Sequence, residues 1–250
     1  MMKILGVIPA RYDSSRFPGK PLVMIDGKSM IQRVYEQSVK CTGLSNVIVA
    51  TDSEVIEKHV KSFGGKVMMT SSKHRSGTER CGEVIEKVSA VFHERHDVVI
   101  NIQGDEPLID PRQIMQVAEI FNDLSVEIAT LAKRLDDPEE LKSPNVVKLV
   151  MDKDHKAIYF SRQPIPFLRG GEKKNWLEAG QYYKHIGIYG YRSDILPKII
   201  HLPPSWLESA ESLEQLRWIE NGFRIAVKET LFESIAIDVP GDLLKITNIR

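Results

Sequence analysis

The chain has 250 residues, and its 34 basic and 34 acidic side chains cancel to a formal net charge of zero. A balanced chain has no global field for nucleic acid or an anionic membrane surface, so neither is expected as a partner and any phosphate recognition has to be local. Its two cysteines, Cys41 and Cys81, lack zinc or redox spacing, the first apolar run is too short for a signal peptide, and no run reaches the roughly 18 apolar residues of a membrane helix, so a reduced, cytoplasmic protein is expected.

Up to about residue 150, short β-branched runs alternate with longer stretches of helical period. The expected strands are Ile4 to Ile8, Asn46 to Ala50, Lys66 to Met69, Val98 to Ile102, Ile128 to Ala132 and Val146 to Met151. Between them the spacing predicts helices over Ser29 to Lys40, Ser53 to Phe63, Thr78 to Val91 and Pro111 to Phe121. In the first of these Met30, Ile31, Val34, Tyr35 and Val39 share a face, while Ser53 and the stretch Ser76 to Thr78 supply caps for two helix starts. Such alternation argues for an α/β fold with a mostly parallel sheet covered by helices on both faces. Beyond residue 150 the pattern changes: His185 to Tyr191 reads as a strand, Glu208 to Asn221 as one amphipathic helix, and Ile225 to Thr230 as a further strand. The Gly- and Lys-rich stretch Leu168 to Glu178 reads as a mobile loop and a candidate lid. No internal repeat or linker divides the chain, so a single continuous fold over 1–250 is expected.

Chemistry concentrates where the expected strands end. PARYDSSRFPGKPL, Pro9 to Leu22, follows the first strand and puts Arg11, Arg16 and Lys20 in one loop with Ser14, Ser15 and Gly19. At the C-terminal edge of an open α/β sheet this reads as a site for a polyphosphate or sugar acid; as composition alone it reads equally as a solvated basic loop. NIQGDEPLID places Asp105 just past another strand, on the same edge if the strands are parallel. A strand-end carboxylate facing a phosphate loop suits a hard cation such as Mg2+, although Asp-Glu-Pro before a helix is also an ordinary turn. A second carboxylate, Asp238 in IAIDVP, is either the other half of a metal site or a helix cap. In HRSGTERCGE a turn opens a helix whose N-H groups favour anions, with Arg80 one turn in; simple capping is the alternative. Asp26-Gly27-Lys28-Ser29 imitates the end of a P-loop but lacks its first glycine and reads as a hairpin turn, as does Asp152-Lys153-Asp154.

Taken in order, PARYDSSRFPGKPL, VIVATDSE, HRSGTERCGEV, NIQGDEPLI, NVVKLVMD, YFSRQPIPF, KHIGIYGYR, ESLEQLRW and IAIDVPGDL resemble the 3-deoxy-manno-octulosonate (KDO) cytidylyltransferase family from residue 9 to residue 243. The opening Pro9-Ala10-Arg11 is the form shared by KDO- and sialic-acid-activating enzymes, and SGTER, QGDEP and GIYGYR resemble the KDO branch. The resemblance implies a three-layer α/β sandwich of the nucleotide-diphospho-sugar transferase fold with a mostly parallel mixed sheet. It also implies a nucleotide-binding part over about 1–150, a sugar-binding and dimerisation lobe over about 151–230, and a C-terminal return over 231–250. The implied reaction is CTP plus KDO giving CMP-KDO and pyrophosphate with Mg2+, in a homodimer, for bacterial lipopolysaccharide. A sialic acid or 8-amino-KDO enzyme is the near alternative, and a nucleotide-binding module without turnover the distant one.

Residue by residue, the resemblance assigns Arg11 and Lys20 to the triphosphate, with Arg16 as a helper, and Asp105 and Asp238 to the metal. Ala10, His74, Ser76, Gly77, Arg80 and Gln103 are implied to line the nucleotide pocket. Arg162, His185, Tyr189, Glu214 and Gln215 are implied to bind the sugar acid, a cation for its carboxylate and hydrogen-bonding groups for its hydroxyls.

Overall fold

The computed structural model describes residues 2–13, 17–170, 176–233 and 235–247. Arg16, Ser14 and Ser15 of the basic loop, and residues 171–175 of the candidate lid, lie outside the described residues. In the first half, β1 (Ile4–Ala10) leads through a hairpin of β2 (Met24–Ile25) and β3 (Lys28–Ser29) to α1 (Met30–Ser38). Then follow β4 (Asn46–Thr51), α2 (Glu54–Ser62), β5 (Val67–Met69), α3 (Gly77–Phe92), β6 (Val98–Asn101) and α4 (Pro111–Ile120). The second half runs β7 (Ile128–Arg134), α5 (Pro138–Lys142), β8 (Lys148–Met151), β9 (Ala157–Ser161), α6 (Trp176–Ala179) and β10 (Tyr183–Arg192). It closes with α7 (Leu196–Ile200), α8 (Trp206–Glu211), α9 (Glu214–Glu220), β11 (Ile225–Glu229) and α10 (Leu243–Thr247).

The strands join in the order β11-β7-β10-β6-β1-β4-β5. Along this path all but β10 run the same way; β10 is antiparallel to β6 and β7 on either side of it. The period-two alternation of β1 sorts its side chains between two cores. Ile4, Ile8 and Ala10 pack with Ile31, Val34, Ile56, Val60, Ile114 and Val117 from α1, α2 and α4. Leu5 and Val7 pack on the other face with Val84, Val88, Leu196, Ile199 and Leu216 from α3, α7 and α9. The result is three layers, helices on each face of one mixed sheet. No described helix is long and apolar enough to cross a membrane.

Local chemistry explains the element ends. Ser29 caps α1 by accepting from the Gln32 N-H, Ser76 caps α3 through Glu79, and Asp110 with Gln113 forms a capping box at α4. Asp26 and Gly27 take the left-handed conformation (φ 47° and 78°) that a two-residue hairpin turn requires. Asp152 to Asp154 falls in the turn between the antiparallel strands β8 and β9, again a hairpin.

Two sequence expectations need correction. Ser53 stands at the start of α2 but makes no side-chain capping bond. The helix expected over Glu208 to Asn221 is two, α8 and α9, because Ser212 adopts a left-handed backbone (φ 53°) and stops the first. The apolar period runs through the break, since Leu213 and Leu216 remain buried, and no Gly or Pro marks it. The interruption matters because it puts Glu214 at a helix start.

β10 crosses the middle of the sheet, and α4 with its C-terminal Phe121 lies close above it. A Cβ on Gly190 would meet the Phe121 ring edge and come within 2.9 Å of Val117 Cγ1. Gly190→Ala is therefore expected to cost about 1–3 kcal/mol through overpacking, lowering the thermal midpoint by about 2–4 °C per kcal/mol in a chain of this size. A calorimetric scan with an unchanged midpoint would mean that Phe121 rotates aside freely.

Candidate active site

Two cavities open at the C-terminal edge of β1 and β6. The smaller, about 520 Å³, is lined by Pro9, Ala10, Arg11, Lys20, Arg75 and Ser76 among others. The larger, about 920 Å³, runs along β10 past His185, Tyr189, Glu214, Gln215 and Asp238. Gly77, Gln103 and Asp105 belong to both walls, so the chambers meet there.

Close backbone approach makes this junction. The α3 start sits against the strand ends: a Cβ on Gly77 would lie 3.2 Å from Pro9 Cγ and 3.3 Å from Asn101 Nδ2. A Cβ on Gly104 would lie 2.6 Å from the Pro9 carbonyl oxygen, so the QGDEP turn passes directly over the end of β1. Gln103 donates its side-chain N-H to the Gly187 carbonyl at 2.9 Å, tying the junction to β10.

In the smaller chamber, Gly19 turns left-handed (φ 71°) and its N-H reaches back to the Tyr12 carbonyl, which presents Lys20 at the start of a short 3-10 turn. Lys20 Nζ donates to Asp105 Oδ2 at 2.7 Å and lies 3.8 Å from Asp238 Oδ1. Residues 235–238 form no regular element, but the Ile237 N-H donates to the Asp105 carbonyl at 2.9 Å and so brings the second carboxylate to the first. Asp242 then accepts from the N-H groups of Asp238 and Val239. Among the described residues no group of three or more His, Cys, Asp or Glu is arranged to hold a metal. The Asp105 and Asp238 pair nevertheless fits a magnesium ion, which takes one or two carboxylates and completes its shell with phosphate and water.

The loop before α3 is held by a hub. Glu83 accepts from the Ser71 N-H and from Lys87, and contacts His74 Nε2. Burial opposes ionisation of Glu83, but these contacts from Lys87, Ser71 and His74 hold its pKa down at about 2. The His74 carbonyl accepts from Arg11 Nη2, so the His74 ring faces Glu83 while its backbone positions Arg11. Of the two arginines in HRSGTER, Arg75 lines the chamber. Arg80 does not: it is fully buried, donating to Asp52 at 2.7 Å and to Thr70, so it anchors α3 to the sheet.

The larger chamber is built on an irregularity in β10. Its register with β7 shifts between Ile186 and Tyr189, and Thr130 of β7 fills the gap, its hydroxyl 3.1 Å from the Ile186 carbonyl and 2.8 Å from that of Ile188. A hydroxyl hydrogen turned to those carbonyls leaves the oxygen to accept from His185 Nε2, 3.1 Å away, which sets the imidazole as the Nε2-H tautomer. Burial pushes the His185 pKa down to about 3. His185 is thus expected to stay neutral throughout pH 5–8, and an NMR titration of the imidazole resonances showing an inflection in that range would contradict it.

Tyr189 and Tyr191 stack at 6.0 Å and both meet the edge of Trp218; the Tyr189 hydroxyl lies near Thr130 without an aligned hydrogen bond. Glu214 reaches from α9 to the α3 start, accepting from Ser76 Oγ at 2.9 Å, Thr78 Oγ1 at 2.7 Å and Arg217 at 2.9 Å. Burial raises the Glu214 pKa above the ordinary value even against those three partners. Gln215 is buried beside it. Arg162 is not brought to either chamber: its guanidinium donates to the carbonyls of Glu211, Pro144 and Ser212 and ties β9 to α8.

Sequence reasoning missed one wall of the larger chamber. Lys184 Nζ donates to both oxygens of Glu140 (2.7 and 2.8 Å) and to Glu233 Oε1 at 2.7 Å, and Lys133 contacts the other Glu233 oxygen. Only the position of Lys184 beside His185 on an expected strand hinted at this.

The cytidylyltransferase family profile matches residues 5–230. The chain is 54% identical over 249 residues to the 3-deoxy-manno-octulosonate cytidylyltransferase of Parabacteroides distasonis, covering 98% of this chain and 97% of that one. It is 50% identical to that of Cytophaga hutchinsonii, over 99% and 97% of the two chains. Among solved structures, a CMP:2-keto-3-deoxy-manno-octonic acid synthetase complexed with CTP superposes with a TM-score of 0.89 at 43% identity, covering 98% of this chain and 96% of that one.

Proposed function

The chain belongs to the cytidylyltransferase family, and on that premise we propose that it transfers the cytidylyl group of CTP to the anomeric hydroxyl of KDO, releasing pyrophosphate. The observation that carries the reading is the shared wall of the two chambers. One chamber is lined by Arg11, Lys20 and Arg75, the other by aromatic, amide and carboxyl groups, and they meet at Gly77, Gln103 and Asp105. A triphosphate in the first and a sugar acid in the second would face each other at that junction.

In this reading Arg11 and Lys20 neutralise the triphosphate, with Arg75 beside them, while Ala10, Ser76, Gly77 and Gln103 line the nucleotide's path. His185, Tyr189, Glu214 and Gln215 orient the sugar acid so that its anomeric oxygen lies in line with the α-phosphorus. The new ester bond then forms as the bond to pyrophosphate breaks, and the cationic chamber stabilises the charge growing on the leaving oxygens. Asp105 and Asp238 would hold Mg2+, which when bound would screen phosphate charge and make the attacking hydroxyl more acidic. Arg80 and Arg162 act at a distance, by fixing α3 and the β9-α8 junction. The same assignment puts the named nucleotide contacts within 1–150 and the named sugar contacts within 151–230, with Asp238 as the contribution of the C-terminal return.

The reading extends to a homodimer in the cytoplasm that supplies an activated sugar for lipopolysaccharide. Exposed Ile158, Phe167 and Trp206 in the second half are candidates for its contact, and light scattering tests it.

The deciding experiment is pyrophosphate release with Mg2+, offering CTP, UTP, ATP or GTP with KDO, 8-amino-KDO or N-acetylneuraminate. Release that needs both CTP and KDO is the expected result. Preference for another sugar acid would keep the nucleotide chamber and overturn the sugar assignment, and no release with any pair would leave a binding module.

A further inference from the structure

Lys20 is shared between two places that it cannot fill together. Its ammonium lies among the smaller chamber's cations, yet it is bonded to Asp105 at 2.7 Å and stands 3.8 Å from Asp238, with its side chain only 14% exposed. That position, between two carboxylates that converge from distant parts of the chain, is where a divalent ion bridging them would sit. An ammonium and a divalent cation repel and cannot occupy one position.

The rest of the loop is arranged for a change of partner. The backbone is fixed at the base of the side chain by the Gly19 N-H to Tyr12 carbonyl bond and by the 3-10 turn that Lys20 begins. Only the flexible four-carbon stem has to move, and the ammonium at its end has no directional preference among anions. Arg11 differs in that its guanidinium already donates to a neutral acceptor, the His74 carbonyl.

We propose that Lys20 is the resident counter-ion of the Asp105 and Asp238 pair, and that an arriving triphosphate draws it off and so opens the pair to a divalent metal. This rests on the assignment of the smaller chamber to a nucleotide triphosphate. It adds that nucleotide and metal bind with positive coupling and that the coupling passes through one side chain. Linkage makes the effect reciprocal, so a metal seated on the carboxylates returns Lys20 to the phosphates. A free metal ion then gains little hold on the protein before nucleotide is present.

The test needs no turnover. Mn2+ is titrated into the nucleotide-free full chain and free Mn2+ is read by electron paramagnetic resonance, for the wild type, Lys20→Met, and Lys20→Met combined with Asp105→Asn. The expected result is one site in Lys20→Met at least tenfold tighter than in the wild type, lost again in the double variant. Equal affinity in the wild type and Lys20→Met, or tighter binding that survives Asp105→Asn, overturns the proposal. If the methionine variant fails to fold, Lys20→Gln, which keeps a hydrogen-bonding side chain but no charge, replaces it with the same expected gain and the same overturning outcomes. A chain that uses CTP and KDO but shows no such gain refutes the coupling alone, whereas a chain without that turnover refutes the functional reading.

Discussion

Asp105→Asn is expected to cut turnover by about three orders of magnitude, the rate equivalent of about 4 kcal/mol, while leaving the protein folded. The side chain keeps its shape, so the Ile237 N-H to Asp105 carbonyl bond, which belongs to the backbone, survives, and asparagine can still accept from Lys20. What is lost is one of the two carboxylate charges that converge on Lys20. Steady-state rates with saturating CTP, KDO and Mg2+, beside a thermal melt, separate the two effects. Near-normal turnover at saturating Mg2+ would remove Asp105 from the mechanism.

Lys184→Met is expected to be strongly destabilising. The wild-type side chain is 8% exposed, and its ammonium binds both Glu140 and Glu233. Removing it leaves two carboxylates facing each other across an apolar side chain. Uncompensated buried charge costs about 3–5 kcal/mol, and partial exposure of both glutamates brings the expectation to about 2–3 kcal/mol. Burial alone would lower the Lys184 pKa, but the hydrogen bonds to Glu140 and Glu233 raise it above 10.5; burial would raise Glu233, but Lys133 and Lys184 take it below 4.5.

The sign in pH follows from those directions. The Glu233 contribution is present above pH 4.5 and fades as pH falls through its lowered value, and the Lys184 contribution is present below pH 10.5 and fades as pH rises past its raised value. The stability gap between wild type and variant, measured by urea unfolding, should therefore be widest near neutrality and close in acid. A gap independent of pH would mean that packing, not charge, is lost.

Much of the frame could be read from the chain because its signals are local. Strand and helix periods in residues 1–150, the Asp26-Gly27 turn and the Ser76 cap are each decided within a few residues, whereas Ser53, also expected as a cap, stands before α2 without a side-chain capping bond. The α8-α9 break was hidden because Leu213 and Leu216 continue the apolar period while Ser212 takes a conformation that its side chain does not advertise. For the site, residue type was informative and direction was not. Of the two arginines in HRSGTER the sequence singled out Arg80, yet Arg80 is buried against Asp52 and Thr70 and it is Arg75 that lines the chamber. The Lys184, Glu140 and Glu233 cluster joins β10, α5 and the segment after β11, a convergence that no spacing encodes.

The place of β10 also bears on how the protein comes off the ribosome. Strands β6 and β7 are made early but touch neither each other nor any other early strand on their facing sides; the element between them is β10. A nascent chain therefore carries the facing edges of β6 and β7 unpaired until residue 192 has emerged, and the far edge of β7 until β11 is made, the interval in which edge-to-edge association with other nascent chains is favoured. Asp238 emerges later still, so sheet closure comes before the carboxylate pair is complete. A half-made chain is exposed to aggregation, but it has no assembled centre with which to consume nucleotide.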